Sequence, residues 1–220
     1  MAEPVKTRRD YDNSRRQAQA RATRAEVAAA ARRLFLDRGY PATTIEAIGE
    51  AAGVPLATIY RLFGSKRAIL SAVLDVSFVG DDEPLALHER PEARAAAAET
   101  DPRRLLAGYA QLTRGVLERS GPIQHMLRTA AAVDPECAGL LETTRQQRLL
   151  GQSRVARALA GQGALADGLT EARALDVIYT LMSPEVHYIL TAERGRRCRV
   201  PCSASRWASG CSRRRTTRGS

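Results

Sequence analysis

Residues 43–70 read TTIEAIGEAAGVPLATIYRLFGSKRAIL, and the order of caps, apolar residues and glycines in this stretch decides the fold. Thr43 as N-cap with Glu46 three residues on is a capping box. Ile45, Ile48 and Ala52 share one helical face and Gly53 follows, so a short helix is expected. Pro55 then sits at a permitted first-turn position, Ile59, Leu62 and Phe63 fall on one side, and Gly64 closes a second helix of about two turns. Two short helices joined by a tight glycine-containing turn make a helix-turn-helix, whose second helix can enter the major groove of DNA. Thr58, Tyr60 and Arg61 would carry hydrogen-bond donors away from Ile59 and Phe63. Ser65 caps a further helix that opens on Lys66, which brings free backbone N–H groups and an ammonium together as a phosphate site requires.

Upstream, TRAEVAAAARRLFLDRG places Thr23 and Glu26 in capping-box spacing. It repeats apolar residues at Val27, Ala30, Ala31, Leu34 and Phe35 and closes on Gly39, which predicts a first helix from Thr23. Residues 1–20 have no apolar period and read as a disordered basic arm. Downstream, VGDDEPLALHERPE is an acidic connector. Its Asp81, Asp82 and Glu83 lack the ligand spacing of a calcium loop and read as a solvated linker. Helix starts follow at Asp101-Pro102, Gly121-Pro122, Asp134-Pro135, Thr170 and Ser183-Pro184, which predicts five helices in a second bundle. From about Gly195 the chain holds no acid, no helical period and three cysteines. So abrupt a break is what a shifted reading frame produces. The expected organisation is a disordered arm over 1–20, a helix-turn-helix domain over 21–66, a helical ligand-binding and dimerisation domain over 67–194, and an Arg/Ser/Cys-rich disordered tail over 195–220.

Composition agrees with an all-α chain. Aromatic residues are 5% of the total, and no alternating β-branched run of strand length occurs. The net charge of +10 is unevenly spread: 13 Lys/Arg against 7 Asp/Glu in residues 1–70, 12 against 17 in 71–193, and 9 against none beyond. A basic N-terminal module fits a polyanionic partner and an acidic middle does not. No apolar run spans a membrane and no secretory leader is visible, so the chain is expected in the cytoplasm with no membrane partner. Cys137 stands alone. Cys198 and Cys202 have no histidine or second close cysteine pair beside them, and no metal or cofactor site is expected. His88, His125 and His187 are isolated from one another. With no glycine-rich phosphate loop and no nucleophile paired with a base, an enzyme is not expected. The competing reading is a helical interaction protein that binds nucleic acid non-specifically through the basic tail.

The ordered set from Ala28 to Leu70 resembles the tetracycline-repressor (TetR) family of bacterial regulators. It carries Phe35 and the Gly39-Tyr40 exit, Thr44-Ile45, the Ala52-Gly53-Val54 turn, Thr58-Ile59-Tyr60 with Phe63, and Ser65-Lys66 opening the fourth helix. The resemblance implies a homodimeric repressor on a palindromic double-stranded DNA operator, released by a small-molecule effector. By position it implies that Thr43 or Thr44, Tyr60 and Lys66 touch phosphates. Leu56, Ala57, Thr58 and Arg61 would face bases, and Arg15 or Arg16 would reach a minor groove. Leu56 would offer only van der Waals contact, as to a thymine methyl. For the effector pocket the bundle offers Tyr109, Met126, Tyr179 and Met182, and for the dimer the segment from Thr170 to Leu190.

Overall fold

The computed structural model describes residues 8–80 and 89–196, and every regular element among them is helical. Helix α1 runs Arg8–Ala42. Its stretch from Arg8 to Arg38 contains neither glycine nor proline and is dense in Ala, Arg and Gln, so nothing interrupts helix propagation. Residues 8–20 therefore extend α1 where a disordered arm was expected, and Thr23 is a helix-interior residue, not a cap. Residues 1–7 lie outside the described residues. The break falls at Gly39 (φ 79°, ψ 166°), where the sequence placed it.

Helix α2 (Ile45–Ala52) starts one residue later than expected, because Thr44 is the cap, its Oγ1 accepting from the Ala47 N–H at 3.1 Å. Helix α3 (Leu56–Phe63) begins after Pro55 and ends at Gly64, whose φ of 76° only glycine adopts without strain. Helix α4 (Lys66–Val79) is capped by Ser65, which accepts from the Ala68 N–H at 3.1 Å. Gly49 keeps the two short helices close. A Cβ there would sit 3.1 Å from the Val54 carbonyl oxygen and 3.2 Å from Ile59 Cδ1.

Beyond residue 88 come α5 (Pro91–Ala97), α6 (Pro102–Ala130), α7 (Pro135–Gly161), α8 (Glu171–Leu181) and α9 (Pro184–Tyr188), the last continuing into a π-helical turn, Ile189–Glu193. Asp101, Asp134, Thr170 and Ser183 cap their helices as the sequence indicated. Two expectations fail. The end of the acidic connector is helical as α5, and Gly121-Pro122 does not open a helix but lies inside α6. Pro122 lacks the N–H that would reach the Glu118 carbonyl, yet Ser120, Gly121 and Ile123 are all buried, and packing on both sides of the proline holds α6 on one course.

Two apolar cores result. The first gathers Phe35 of α1, Ile48 of α2, Ile59 of α3 and Leu70 and Val73 of α4 with Ile123 and Leu127 of α6 and Cys137 of α7. The second joins Leu105 of α6 to Ala156 and Leu159 of α7 and Ala174 and Ile178 of α8. Helix α6 thus belongs to both, and the first core continues past residue 66 without a seam.

Candidate nucleic-acid interface and effector cavity

At about 100° per residue, Leu56, Tyr60, Ala57 and Arg61 occupy one continuous arc of α3, with Ile59 and Leu62 on the other side and Phe63 at the edge beside Leu56. Burial follows that arc. Ile59 is buried, whereas Leu56, Ala57, Tyr60 and Arg61 are exposed, Tyr60 by 47%. Thr58 lies half-buried on its flank. Of the residues expected at bases, Leu56, Ala57 and Arg61 therefore share one outward face with Tyr60. Thr44 is exposed at the start of α2 and leaves its hydroxyl hydrogen free to donate while its oxygen caps the helix.

Thr43 is not part of this surface. It is fully buried, and its Oγ1 lies 2.8 Å from the Gly39 carbonyl oxygen and 3.2 Å from that of Leu34, tying the end of α1 to α2. Of the pair Thr43 or Thr44 expected at phosphate, only Thr44 is on the surface. The two adjacent threonines cannot be told apart by composition, because the break at Gly39 decides which one turns inward. Lys66 is also turned inward. Its Nζ donates to the carbonyl oxygens of Tyr40 and Thr43, each at 3.0 Å, and lies 4.3 Å from the Tyr40 ring centroid.

Arg24 was missed from sequence. From α1 it donates to the Leu62 carbonyl oxygen at 2.7 Å, and its guanidinium lies 5.3 Å from the Phe63 ring centroid. The signal available was one arginine among many in a cationic helix. Arg15, Arg16 and Arg21 are exposed further along the same helix and make no ion pair among the described residues.

In the bundle, a cleft of about 840 Å³ opens between α6 and α9, lined among others by Arg114, Glu118, Pro122, His125, His187 and Tyr188. Arg114 and Glu118 pair on its α6 wall at 2.7 Å. His125 and Tyr188 stack in parallel with centroids 3.8 Å apart and also border a second cleft of about 250 Å³ beside Arg128 and Glu185. His187 packs its ring against Gly121, and its buried Nε2 has no partner among the described residues. Burial pushes the His187 pKa below its ordinary value against the opposing pull of Glu118.

None of the four residues expected in an effector pocket lines either cleft. Tyr109 and Met182 pack against the second core, Met126 packs against the first, and Tyr179 lies under the Arg148 guanidinium at 3.9 Å. The sequence marked them as large and amphipathic, which here makes them packing residues. His125, His187 and Tyr188 were read as isolated or left unread, because nothing local shows that α9 folds back on α6. Among the described residues no group of three His, Cys, Asp or Glu could hold a metal ion, and no helix is long and apolar enough to cross a membrane. Asp81, Asp82, Glu83, His88, Cys198, Cys202 and the tail from residue 197 lie outside the described residues.

A short helix with one exposed face, seated by a turn against α1, α2 and α4 and joined to a helical bundle, is a helix-turn-helix arrangement. Residues 27–73 match the family model described as bacterial regulatory proteins, tetR family. Over 83 residues the chain is 36% identical to the HTH-type transcriptional regulator TtgR of Pseudomonas putida, and equally to the probable HTH-type transcriptional regulator ArpR of the same species. Each match covers 38% of this chain and 35% of the relative, so the chain spans about a third of the length of the curated relatives it matches. Two crystal structures of HlyIIR mutant proteins, each with an internal segment replaced by a linker, superpose with TM-scores of 0.55 and 0.56. They cover 79% of this chain and 91% and 90% of theirs at 15% identity, and the likeness shows the fold alone.

Proposed function

We propose that this chain is a ligand-responsive transcriptional repressor that binds a palindromic DNA operator as a homodimer through α3 and is released by a small molecule held in the bundle. The observation that carries the reading is the outward arc of Leu56, Ala57, Tyr60 and Arg61 on a helix whose other side is locked by Ile59. In the groove Arg61 would donate to a base edge, guanine being the best match to a guanidinium. Leu56 and Ala57 would offer apolar contact to a thymine methyl. Tyr60 and Thr44 would donate to phosphates on either side and set the register.

Two such helices must lie one turn of duplex apart, roughly 34 Å, to read a palindrome. The exposed Val177 and Leu181, one turn apart on α8, support a twofold contact there. The cleft between α6 and α9 is the effector site in this reading. An effector acts only through different affinities for two arrangements of the dimer, and α6 supplies the connection, since it lines the cleft and also forms part of the core beneath α3 and α4.

Selection of duplexes from a random library with the full chain, followed by footprinting, tests the proposal. A recovered palindrome protected over adjacent major grooves is the expected result. Binding that ignores sequence and vanishes at moderate salt would favour an interaction protein with a basic tail.

A further inference from the structure

Three arginines and two glutamates border the smaller cleft, about 250 Å³, between α6, α7 and α9, and their pairing leaves positive charge over. Arg128 Nη1 of α6 lies 2.7 Å from Glu185 Oε1, a close ion pair. Arg148 Nη1 of α7 stands 3.8 Å from the other oxygen of Glu185, too far for a hydrogen bond, and is buried with no hydrogen-bond partner among the described residues. The Tyr179 ring, its centroid 3.9 Å from the Arg148 guanidinium carbon, holds that guanidinium in place. Arg145, three residues earlier on the same face of α7, is exposed and makes no ion pair among the described residues. Glu193, the second glutamate of the cleft, is also exposed and pairs with none of the three arginines.

We propose that this cleft binds a small organic carboxylate, with the anionic end held by Arg145 and Arg148 and the apolar body laid against Leu141, Pro184 and Ile189. A buried guanidinium nitrogen without an acceptor is costly, and a carboxylate supplies two acceptors in the fork geometry that a guanidinium fits. Glu185 does not meet that need, because its close contact is with Arg128 on α6. The apolar wall favours an organic acid over a bare inorganic anion. His125 and Tyr188, stacked with centroids 3.8 Å apart, border the same space, so an aromatic acid is the best match. The cleft falls just below the roughly 300–1,000 Å³ of sites for drug-sized ligands, which suits an acid of the size of benzoate. It shares His125 and Tyr188 with the larger cleft, and the proposal rests neither on DNA binding nor on the effector reading above.

The test follows backbone and arginine Nε–H signals of the full chain in proton–nitrogen correlation spectra. The chain is titrated with sodium benzoate, with benzamide as its neutral isostere, and with sodium phosphate, all at one ionic strength. The expected result is saturable shifts on α7 and α9 with benzoate, at a Kd of about 1 mM or below for a ligand of this size. Benzamide and phosphate should bind at least about tenfold more weakly, since each lacks one half of the match. Arg145→Gln should weaken benzoate about tenfold and leave Tm unchanged, because the arginine is exposed and unpaired. Arg148→Gln should weaken benzoate as much and also lower Tm, through loss of the Tyr179 contact. Should Arg148→Gln not fold, Arg145→Gln alone decides. No saturable shift with benzoate, equal binding of benzamide, or full affinity in Arg145→Gln would overturn the proposal and leave the arginines as ties between helices. Phosphate binding as tight as benzoate would overturn the organic acid, and shifts confined to the larger cleft would overturn the site.

Discussion

The Arg119 guanidinium of α6 donates to the Phe78 carbonyl oxygen in the last turn of α4 at 3.0 Å, and the Arg119 carbonyl in turn accepts from Arg32 of α1 at 3.1 Å. One residue of the cleft-lining helix therefore grips both helices that carry the recognition unit. Arg119 lies between Glu118 and Gly121, two residues of the cleft wall. Arg119→Ala removes the bond to α4 and leaves the backbone bond from Arg32; it should cost about 1 kcal/mol, as for a partly exposed hydrogen bond, and lower Tm by about 2–4 °C. In an effector titration the variant should bind operator normally but release it less. Unchanged Tm and unchanged release would remove Arg119 from the coupling path.

Gly80 closes α4 with φ 99°, and a Cβ there would stand 3.1 Å from Arg119 Nε. Gly80→Ala combines left-handed strain with displacement of the clamp. It should destabilise by about 1–2 kcal/mol, more than Arg119→Ala alone. Urea unfolding of the two variants and their double mutant checks the ranking, and a double mutant equal to the sum of the singles would show the two sites to be independent.

The neighbouring threonines should separate cleanly. Thr43→Val keeps the shape but removes the one hydroxyl hydrogen that the part-buried Gly39 and Leu34 carbonyls share, so stability should drop by about 1–3 kcal/mol with the selectivity of DNA binding retained. Thr44→Ala loses an N-cap for about 1 kcal/mol and also weakens binding to any duplex, since a phosphate donor is lost. Thermal melts and anisotropy on the same samples distinguish them, and similar behaviour of the two variants would contradict the assignment.

Stability should fall off on both sides of neutrality for different reasons. Burial, with Asp134 adding to it, pushes the Cys137 thiol up to about 12 from 9.0, and burial raises the Tyr40 hydroxyl in the same direction. The unfolded chain loses these protons first, so stability is intact below about pH 9 and declines as pH rises toward 12. His187 has its pKa lowered by burial, so the unfolded chain gains that proton first and stability declines as pH falls below 6.5. Urea midpoints measured from about pH 5 to about pH 11 should form a plateau between these limits (roughly neutral, as paired groups usually give). A midpoint that rises above pH 9 would contradict the buried thiol.

Much of the recognition unit was legible because its signals are local. Gly39, Gly53 and Gly64 punctuate the chain whatever packs on it, and Ile59 and Leu62 facing the core fix which side of α3 faces out. The inward turn of Thr43 and Lys66 was not legible. It depends on Tyr40, Thr43 and Lys66 meeting across a break 23 to 26 residues distant in sequence. Gly121-Pro122 misled for a related reason. Its local chemistry says stop, but buried neighbours on both sides hold α6 together, and the cleft exists only because α9 returns to that point. The basic arm read as disordered because a helix without an apolar stripe gives no periodic signal, although its residues are good helix formers.

The central claim is that the exposed arc of α3 reads DNA sequence. The most direct measurement compares the full chain with its Tyr60→Ala and Arg61→Ala variants on the duplex recovered by selection and on a scrambled one. The account predicts that Arg61→Ala loses about 1–3 kcal/mol on the selected duplex and relaxes preference at one base position, while Tyr60→Ala weakens both duplexes. Undiminished sequence preference in both variants would contradict it.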